Sequence, residues 1–319
     1  WKSIAKLEND GKTKEAQAAV EKIITSAKKE NNTTQIVKAS LYKYKYMMTL
    51  QEQSELKIVT EIKSSIAQAS GNEKAILQSI LAELYWQYYN ENSWKFSNRT
   101  ETAEKQSDDF QTWDLKTLFK EINKNYVASL ENKELLQKTK LEDFKILLNE
   151  EKGSKVFRPT LYDLLANRAI DYFNDSKSNI DRPADAFSID SASYFETATK
   201  FVTLKLDTSD VNSGDFNTIK IYQDLLIFRL KDKANLDALA DADLKRIQFV
   251  KEHYFNKSEN EALYFTALKR LKTEYSKCNT AATICYEIAN YIISENQNKE
   301  EAQVSTVGSL KDALAICDE

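Results

Sequence analysis

Apolar residues recur at helical spacing along most of this chain, and short polar breaks separate the resulting stripes. Spacings of three and four residues place the apolar side chains of each segment on one helical face. In the N-terminal part, the stripes predict helices that start near residues 13, 34, 53 and 72. Starts about 20 residues apart indicate stacked helical hairpins of about 40 residues, close in size to tetratricopeptide and HEAT repeats.

The same rhythm returns toward the C-terminus, where further stripes follow one another. Small residues at Ala281, Ala282 and Ala289 resemble the close-contact positions of tetratricopeptide helices, but no complete repeat consensus is present. The repeats are therefore degenerate. The stripes consist of Ile221, Leu225 and Phe228; Leu244, Ile247 and Lys251; Tyr264, Leu268, Leu271 and Tyr275; Ala282, Cys285, Ala289 and Ile292; and Leu310, Leu314 and Cys317.

The low content of glycine and proline also favours helices. The chain of 319 residues has 5 glycines and 2 prolines, whereas average usage would give about 20 glycines and about 15 prolines. Few tight turns imply few β-hairpins. Lys, Glu, Ala, Leu and Gln, which dominate between the apolar positions, favour helix over strand. We therefore predict an all-α fold, a solenoid-like array of antiparallel helical hairpins that is tetratricopeptide-like with degenerate repeats.

The two regular runs are separated by a less regular middle. We predict a single helical region over 1–319 with a soft boundary near residue 150, between N-terminal hairpins at 1–150 and C-terminal hairpins at 151–319. Pro159 is expected in the first turn of a helix, where its missing N–H group is not needed. Helices are predicted near 112–130, 140–149 and 160–173, and polar stretches lie at 97–111, 174–192 and 207–215.

Charge and hydropathy narrow the choice of partners. The net charge of -4 comes from 45 basic and 49 acidic residues, and these are mixed along the chain, which argues against a nucleic-acid partner. No apolar run approaches the roughly 18 to 20 residues of a membrane span. The sequence starts at Trp1 without a signal-peptide pattern, so we expect a processed or excised piece of a longer protein.

Motifs for catalysis are missing from the sequence. His253 is the one histidine, and its neighbours resemble the end of an amphipathic helix. No serine lies in a G-x-S-x-G turn, so a Ser-His-acid triad has no local support. We predict a chain that is not an enzyme, has no cofactor and uses His253 at a helix end.

Two acidic segments are candidates, one for a calcium site and one for paired catalytic carboxylates. The stretch 207–215 is rich in oxygen ligands, but counting from Asp210 puts Gly214 at position five and Ile221 at position twelve, which breaks the EF-hand register. We expect a solvated loop that caps the next helix. A glycosidase would need paired carboxylates about 5 to 9.5 Å apart, and the candidates are Asp181, Asp185 and Asp190. Clusters of this kind arise by chance in a chain this acidic, so no metal or catalytic role is predicted.

The three cysteines have no C-x-x-C arrangement. Cys278 and Cys285 would lie about 10 Å apart on one helix, which is too far for a disulfide. Free buried thiols are expected, and a bridge between Cys285 and Cys317 is the alternative.

The segment at 82–100 has more aromatic side chains than one helical face requires. The stripe from Leu77 to Tyr88 is expected to be core, whereas Trp94 and Phe96 follow in a loop and are our candidates for contact with a partner. The alternative is that this loop docks against 109–118, whose Trp113 is expected to be core.

Several blocks together resemble one family. AELYWQYYNENSWKFSNRT at 82–100, DFQTWDLKTL at 109–118 and RPTLYDLLANRAIDYF at 158–173, as well as the opening of the chain, are similar to the N-terminal helical region of alpha-2-macroglobulin-family proteins of Bacteroidetes. The order and spacing of the blocks are similar too. The resemblance covers nearly the whole chain.

The resemblance implies a larger parent protein in the bacterial cell envelope, with macroglobulin-like β-domains after this region. Members of the wider family trap proteases, and some react through a thioester. The thioester pattern C-x-E-Q is absent here, because Cys317-Asp318-Glu319 is only superficially similar.

We accordingly expect a non-catalytic interaction or scaffolding module that binds a protein or peptide, including following domains of its own parent chain. The alternatives are a glycan-binding helical outer-membrane lipoprotein of polysaccharide uptake and, with less support, a helical-barrel glycoside hydrolase.

Overall fold

The predicted fold class is confirmed. A computed structural model describes residues 1–96, 107–175, 177, 186–232, 234–297 and 307–317, and these ranges are helical with no β-strand. Helices that follow one another in the sequence pack largely as neighbouring pairs. Only isolated bridges, such as the one between Lys140 and Thr160, resemble sheet pairing in these ranges.

The α-helices are, in chain order, α1 (Lys2–Asn9), α2 (Thr13–Lys29), α3 (Thr33–Leu50), α4 (Glu55–Gln68), α5 (Gly71–Asn92), α6 (Leu115–Ala128), α7 (Lys133–Lys138), α8 (Leu161–Asn174), α9 (Ala198–Phe201), α10 (Gly214–Lys231), α11 (Leu236–His253), α12 (Lys257–Glu274), α13 (Thr280–Gln297) and α14 (Leu310–Cys317). Short 3₁₀ helices span Ser93–Lys95, Phe110–Thr112, Leu141–Leu147, Ser154–Val156 and Ala192–Phe195.

The chain divides into two compact units. The first comprises Trp1–Lys152 and Pro159–Tyr172, and the second comprises Gly153–Arg158 and Phe173–Glu319. The sequence predicts one boundary near residue 150. In the structure the chain crosses between the units more than once, and most of α8 belongs to the first unit although it follows residue 150.

Polar contacts explain why most of α8 belongs to the first unit. The Nε atom of Arg168 donates to Oγ of Ser79 at 3.0 Å, and the Tyr172 hydroxyl donates to Oδ1 of Asn123 at 2.7 Å. These bonds join α8 to α5 and α6.

In the first unit, the helices start close to their predicted positions, and side chains cap the starts of α3 and α6. The Asn32 side chain accepts from the Gln35 N–H at the start of α3, and Asp114 accepts from the Thr117 N–H at the start of α6. The segment predicted as a helix near 140–149 forms the 3₁₀ helix Leu141–Leu147.

The predicted helix near 160–173 is observed as α8, but Pro159 lies two residues before its start and not in its first turn. The Asp163 carboxylate accepts from the Thr160 N–H at 2.8 Å, and the Asp163 N–H donates back to Oγ1 of Thr160 at 3.3 Å. This reciprocal pair is a capping box that satisfies two backbone donors at the first turn.

Helix α5 is the central element of the first unit. It contacts α3, α4, α6 and α7, so it is buried on more than one face. Tyr85 and Trp86, which lie off the predicted stripe, are therefore buried together with Leu77 and Leu81. A helix that is apolar on several faces is expected at the interior of a packed array.

In the second unit, α10 to α14 pack largely on their neighbours in sequence. A short irregular segment, Ala192–Phe201, packs on α11 and α12. The guanidinium of Arg246 holds this segment, because it donates to the backbone oxygens of Tyr194 and Glu196 and pairs with Asp243. Arg246 and Asp243 are both fully buried, and a buried pair of this kind requires such additional hydrogen bonds to offset desolvation.

Candidate functional site

Trp94 is an exposed aromatic side chain in the first unit. It lies in the 3₁₀ helix Ser93–Lys95 directly after α5, and 71% of its surface is accessible. The ammonium of Lys95 lies 5.5 Å from the centroid of the Trp94 ring. By contrast, Trp86 and Trp113 are buried at 8% and 6% exposure, as was predicted for Trp113. Trp94 is therefore placed where a ligand or partner could contact it.

The prediction that Phe96 contacts a partner is wrong. Phe96 is 4% exposed, and its ring packs edge-on against Tyr88 and Tyr89, with centroids 6.2 and 5.8 Å apart. Tyr88 also packs against Phe110 at 4.8 Å. Phe96 thus packs on the aromatic side chains of α5, and Tyr88 connects it to Phe110.

A polar pocket of about 270 Å³ lies beside Trp94. The turn between α3 and α4, the C-terminal end of α5 and the two 3₁₀ helices that follow α5 form its walls. Lys95 connects the pocket to Trp94, because its ammonium lies 5.8 Å from the centroid of the Tyr88 ring as well as 5.5 Å from that of Trp94. The pocket is lined by Gln53, Glu55, Tyr88, Asn92, Lys95 and Gln111.

Several side chains in this pocket have unused hydrogen-bonding capacity. Within the described ranges, the side chains of Gln53, Glu55 and Gln111 have no hydrogen bond or ion pair. The Asn92 amide donates to the backbone oxygen of Tyr88 at 3.0 Å, which leaves its own oxygen to accept. The sequence did not predict this pocket, since its polar residues are far apart in the chain and look like ordinary helix-end residues.

A second candidate surface lies on the last two helices of the second unit. Tyr286 and Ile293 of α13 are 59% and 36% exposed. Leu310 and Leu314, one turn apart on α14, are 58% and 64% exposed, whereas Ala313 on the same helix is buried. Each of these helices therefore covers its neighbour with one face and exposes apolar side chains on another.

His253 lies at the end of α11, as predicted. Its Nδ1 is 2.6 Å from a carboxylate oxygen of Asp215, and its Nε2 is 2.8 Å from the amide oxygen of Asn174. The ring also stacks on Phe249 with centroids 4.3 Å apart. Since protein groups contact both ring nitrogens, neither faces a substrate, and the geometry is that of a histidine that ties α11 to α8 and α10 within the second unit.

The acidic segments do not form a site among the described residues. Ser213 caps α10, because its hydroxyl accepts from the Phe216 N–H at 3.3 Å, and this confirms the predicted capping role of the loop at 207–215. Asp190 is exposed, while Asp181 and Asp185 lie outside the described ranges. In the part of the chain that the structure describes, no group of three His, Cys, Asp or Glu side chains could hold a metal ion.

Cys278 and Cys285 are free, and the side chain of Cys317 lies outside the described residues. Cys278 and Cys285 are half-buried thiols, so the alternative of a bridge from Cys285 to Cys317 is not present. Burial raises the pKa of the Cys278 thiol, with the nearby Asp237 carboxylate adding to the effect, and a raised pKa makes a thiol less reactive.

A polar groove of about 390 Å³ runs along the turn between α2 and α3 and the start of α5. Burial raises the pKa of the Glu73 carboxyl in this groove above its usual 4.5, although the charge of Lys28 opposes the shift.

Comparison of the chain with models of protein families, with curated proteins and with solved structures found no match. The resemblance to alpha-2-macroglobulin-family proteins therefore stays a prediction. Among the described helices, none has the length and apolar character needed to cross a bilayer.

Proposed function

We propose that this chain is a non-catalytic protein-interaction module and that the exposed apolar residues of α13 and α14 form its contact surface. We name these residues, Tyr286, Ile293, Leu310 and Leu314, the terminal surface. The observation that supports the proposal is their exposure of 36% to 64% on helices whose opposite faces are buried.

A helical-hairpin array explains why such a surface would bind another helix. Each internal helix of the array covers the apolar face of its neighbour, so an apolar face without a neighbour suits one more amphipathic helix. Leu310 and Leu314 are four residues apart and lie on the same face of α14. The partner we propose is a helical protein segment, either from another protein or from elsewhere in the parent chain.

The sequence resemblance supports a setting for this module. We propose that the parent is an alpha-2-macroglobulin-like, protease-inhibitor-like protein of the bacterial cell envelope. In that setting, the terminal surface would connect this helical region to another domain of the parent protein.

Site-specific photo-cross-linking tests the proposed surface. A benzophenone amino acid would replace Leu314 or Tyr286 in the natural parent protein, and a matched control would replace Phe255, which is 74% exposed on the same unit. We expect a discrete adduct at both positions of the terminal surface and none at position 255. The same adducts at all three positions, or none at the terminal surface, would contradict the proposal.

A further inference from the structure

We infer that the polar pocket beside Trp94 binds a saccharide, with one sugar ring in the pocket and an adjoining ring or apolar sugar face on Trp94. This site lies in the first unit and is independent of the terminal surface.

The size of the pocket limits its ligand. Its volume of about 270 Å³ lies below the roughly 300 to 1,000 Å³ that is typical of sites for drug-sized molecules. A single six-membered sugar ring fits such a space, whereas a folded peptide segment does not.

The chemistry of the lining matches hydroxyl groups. Gln53 and Gln111 each provide both a donor and an acceptor in a planar amide, and both oxygens of the Glu55 carboxylate accept hydrogen bonds. Neighbouring hydroxyl groups of a sugar need such paired donors and acceptors. Because these three side chains have no partner among the described residues, a ligand would not have to displace internal hydrogen bonds.

The aromatic residues provide the second part of sugar recognition. Tyr88 lines the pocket and Trp94 is next to it, and both rings flank the ammonium of Lys95 at 5.8 and 5.5 Å. Sugars have apolar C–H faces that pack on aromatic rings, and large aromatic side chains bury much area on binding. The Tyr88 ring is fixed by Phe96 and Phe110, so the wall it forms is rigid.

A peptide fits this lining less well. Two common modes of peptide recognition use an apolar groove for side-chain anchors or a free sheet edge for backbone pairing. The pocket has neither, since all six of its lining residues end in a polar or charged group and the surrounding elements are helical.

Saturation-transfer NMR on the full chain tests the inference. The probes are the methyl glycosides of glucose, galactose, mannose, N-acetylglucosamine and glucuronic acid, together with cellobiose, lactose, maltose and chitobiose. We expect saturation of at least one probe with a Kd in the roughly millimolar range or below, and Trp94→Ala should weaken it at least about tenfold. Gln111→Ala should weaken the same probe, while Phe255→Ala, at an exposed aromatic residue of the other unit, should leave it unchanged.

Three results would overturn the inference. One is that no probe is saturated by the unmodified chain. Another is that binding survives both Trp94→Ala and Gln111→Ala in variants whose circular dichroism is unchanged. The third is that an unrelated tripeptide displaces every bound probe, which would assign the pocket to peptides. Since none of these variants alters α13 or α14, failure here is separate from failure of the terminal surface.

Discussion

The hydroxyl of Tyr275 donates a hydrogen bond to Oδ2 of Asp243 at 3.0 Å, in a region where Asp243 is fully buried. Burial, reinforced by the charge of Asp243, raises the pKa of Tyr275, so the hydroxyl keeps its proton and stays a donor. The other oxygen of Asp243 accepts from Arg246. The buried carboxylate is therefore satisfied from both sides.

Replacing Tyr275 with phenylalanine removes one of these donors without creating a large cavity. We expect Tyr275→Phe to lower the free energy of unfolding by about 1.5–3 kcal/mol, the range for a hydrogen bond to a charged group. Urea denaturation followed by circular dichroism measures the change. The control is Tyr286→Phe on the exposed face of α13, which should stay within about 0.5 kcal/mol of the unmodified chain. Equal losses in both variants would contradict a special role for Tyr275.

Truncation of the two aromatic residues that follow α5, Trp94 and Phe96, should change the free energy of unfolding by very different amounts. Phe96→Ala removes a buried ring and should cost about 3–5 kcal/mol of unfolding free energy. Trp94→Ala removes an exposed ring and should change stability by at most about 0.5 kcal/mol. Thermal unfolding of the two variants side by side makes the comparison. A large loss for Trp94→Ala would mean that its ring supports the fold and is not free for a ligand.

Gly71 is constrained by both its backbone and its surroundings. Its φ is +55°, and an added Cβ atom would lie 3.2 Å from Cδ2 of Leu135. Gly11, with φ +70° and nothing within 4 Å of an added Cβ, is the matched control for the backbone alone. We expect Gly11→Ala to cost about 1–2 kcal/mol and Gly71→Ala to cost more, since Leu135 must also shift. Denaturant unfolding measures both variants, and equal costs would show that Leu135 moves freely.

Glu73 should make stability depend on pH. Its folded-state pKa is raised by burial, so the native state holds the proton more tightly than the unfolded chain does, and stability is lost as pH rises above about 4.5. Glu73→Gln removes this loss, so the variant should unfold at a higher temperature than the unmodified chain near pH 7.

The difference should disappear when both chains are compared below the ordinary glutamate pKa. The control is Glu91→Gln at an exposed position of α5. A higher unfolding temperature for Glu73→Gln that is the same at all pH values would contradict the titration as its cause.

Most of the fold follows from apolar spacing. Helix starts predicted near 13, 34, 53 and 72 are observed at Thr13, Thr33, Glu55 and Gly71, because short polar breaks between the apolar stripes mark where one helix ends and the next begins. The pattern failed near 140–149, where a 3₁₀ helix forms. Short segments of this kind are decided by the neighbours they pack on, such as α3, and sequence spacing does not report those neighbours.

The candidate site was predicted only in part. The excess of aromatic residues after α5 indicated both Trp94 and Phe96 as contacts, and it did not separate the exposed ring of Trp94 from the buried ring of Phe96, since both follow the helix at similar spacing. The pocket depends on Gln53 and Gln111, which come together only through tertiary packing. Exposed apolar residues of α14 likewise look in the sequence like an ordinary core stripe.

The contact of Arg246 with the Ala192–Phe201 segment restricts how this chain can change in length. Inserting one residue in α11 before Asp243 would turn Asp243 and Arg246 by about 100° around the helix axis, away from the carbonyl groups of Tyr194 and Glu196. Insertions and deletions in homologous chains should therefore be absent from this half of α11 and should collect in connections such as the loop at 207–215. The buried guanidinium of Arg246 therefore fixes the number of residues between the start of α11 and Asp243.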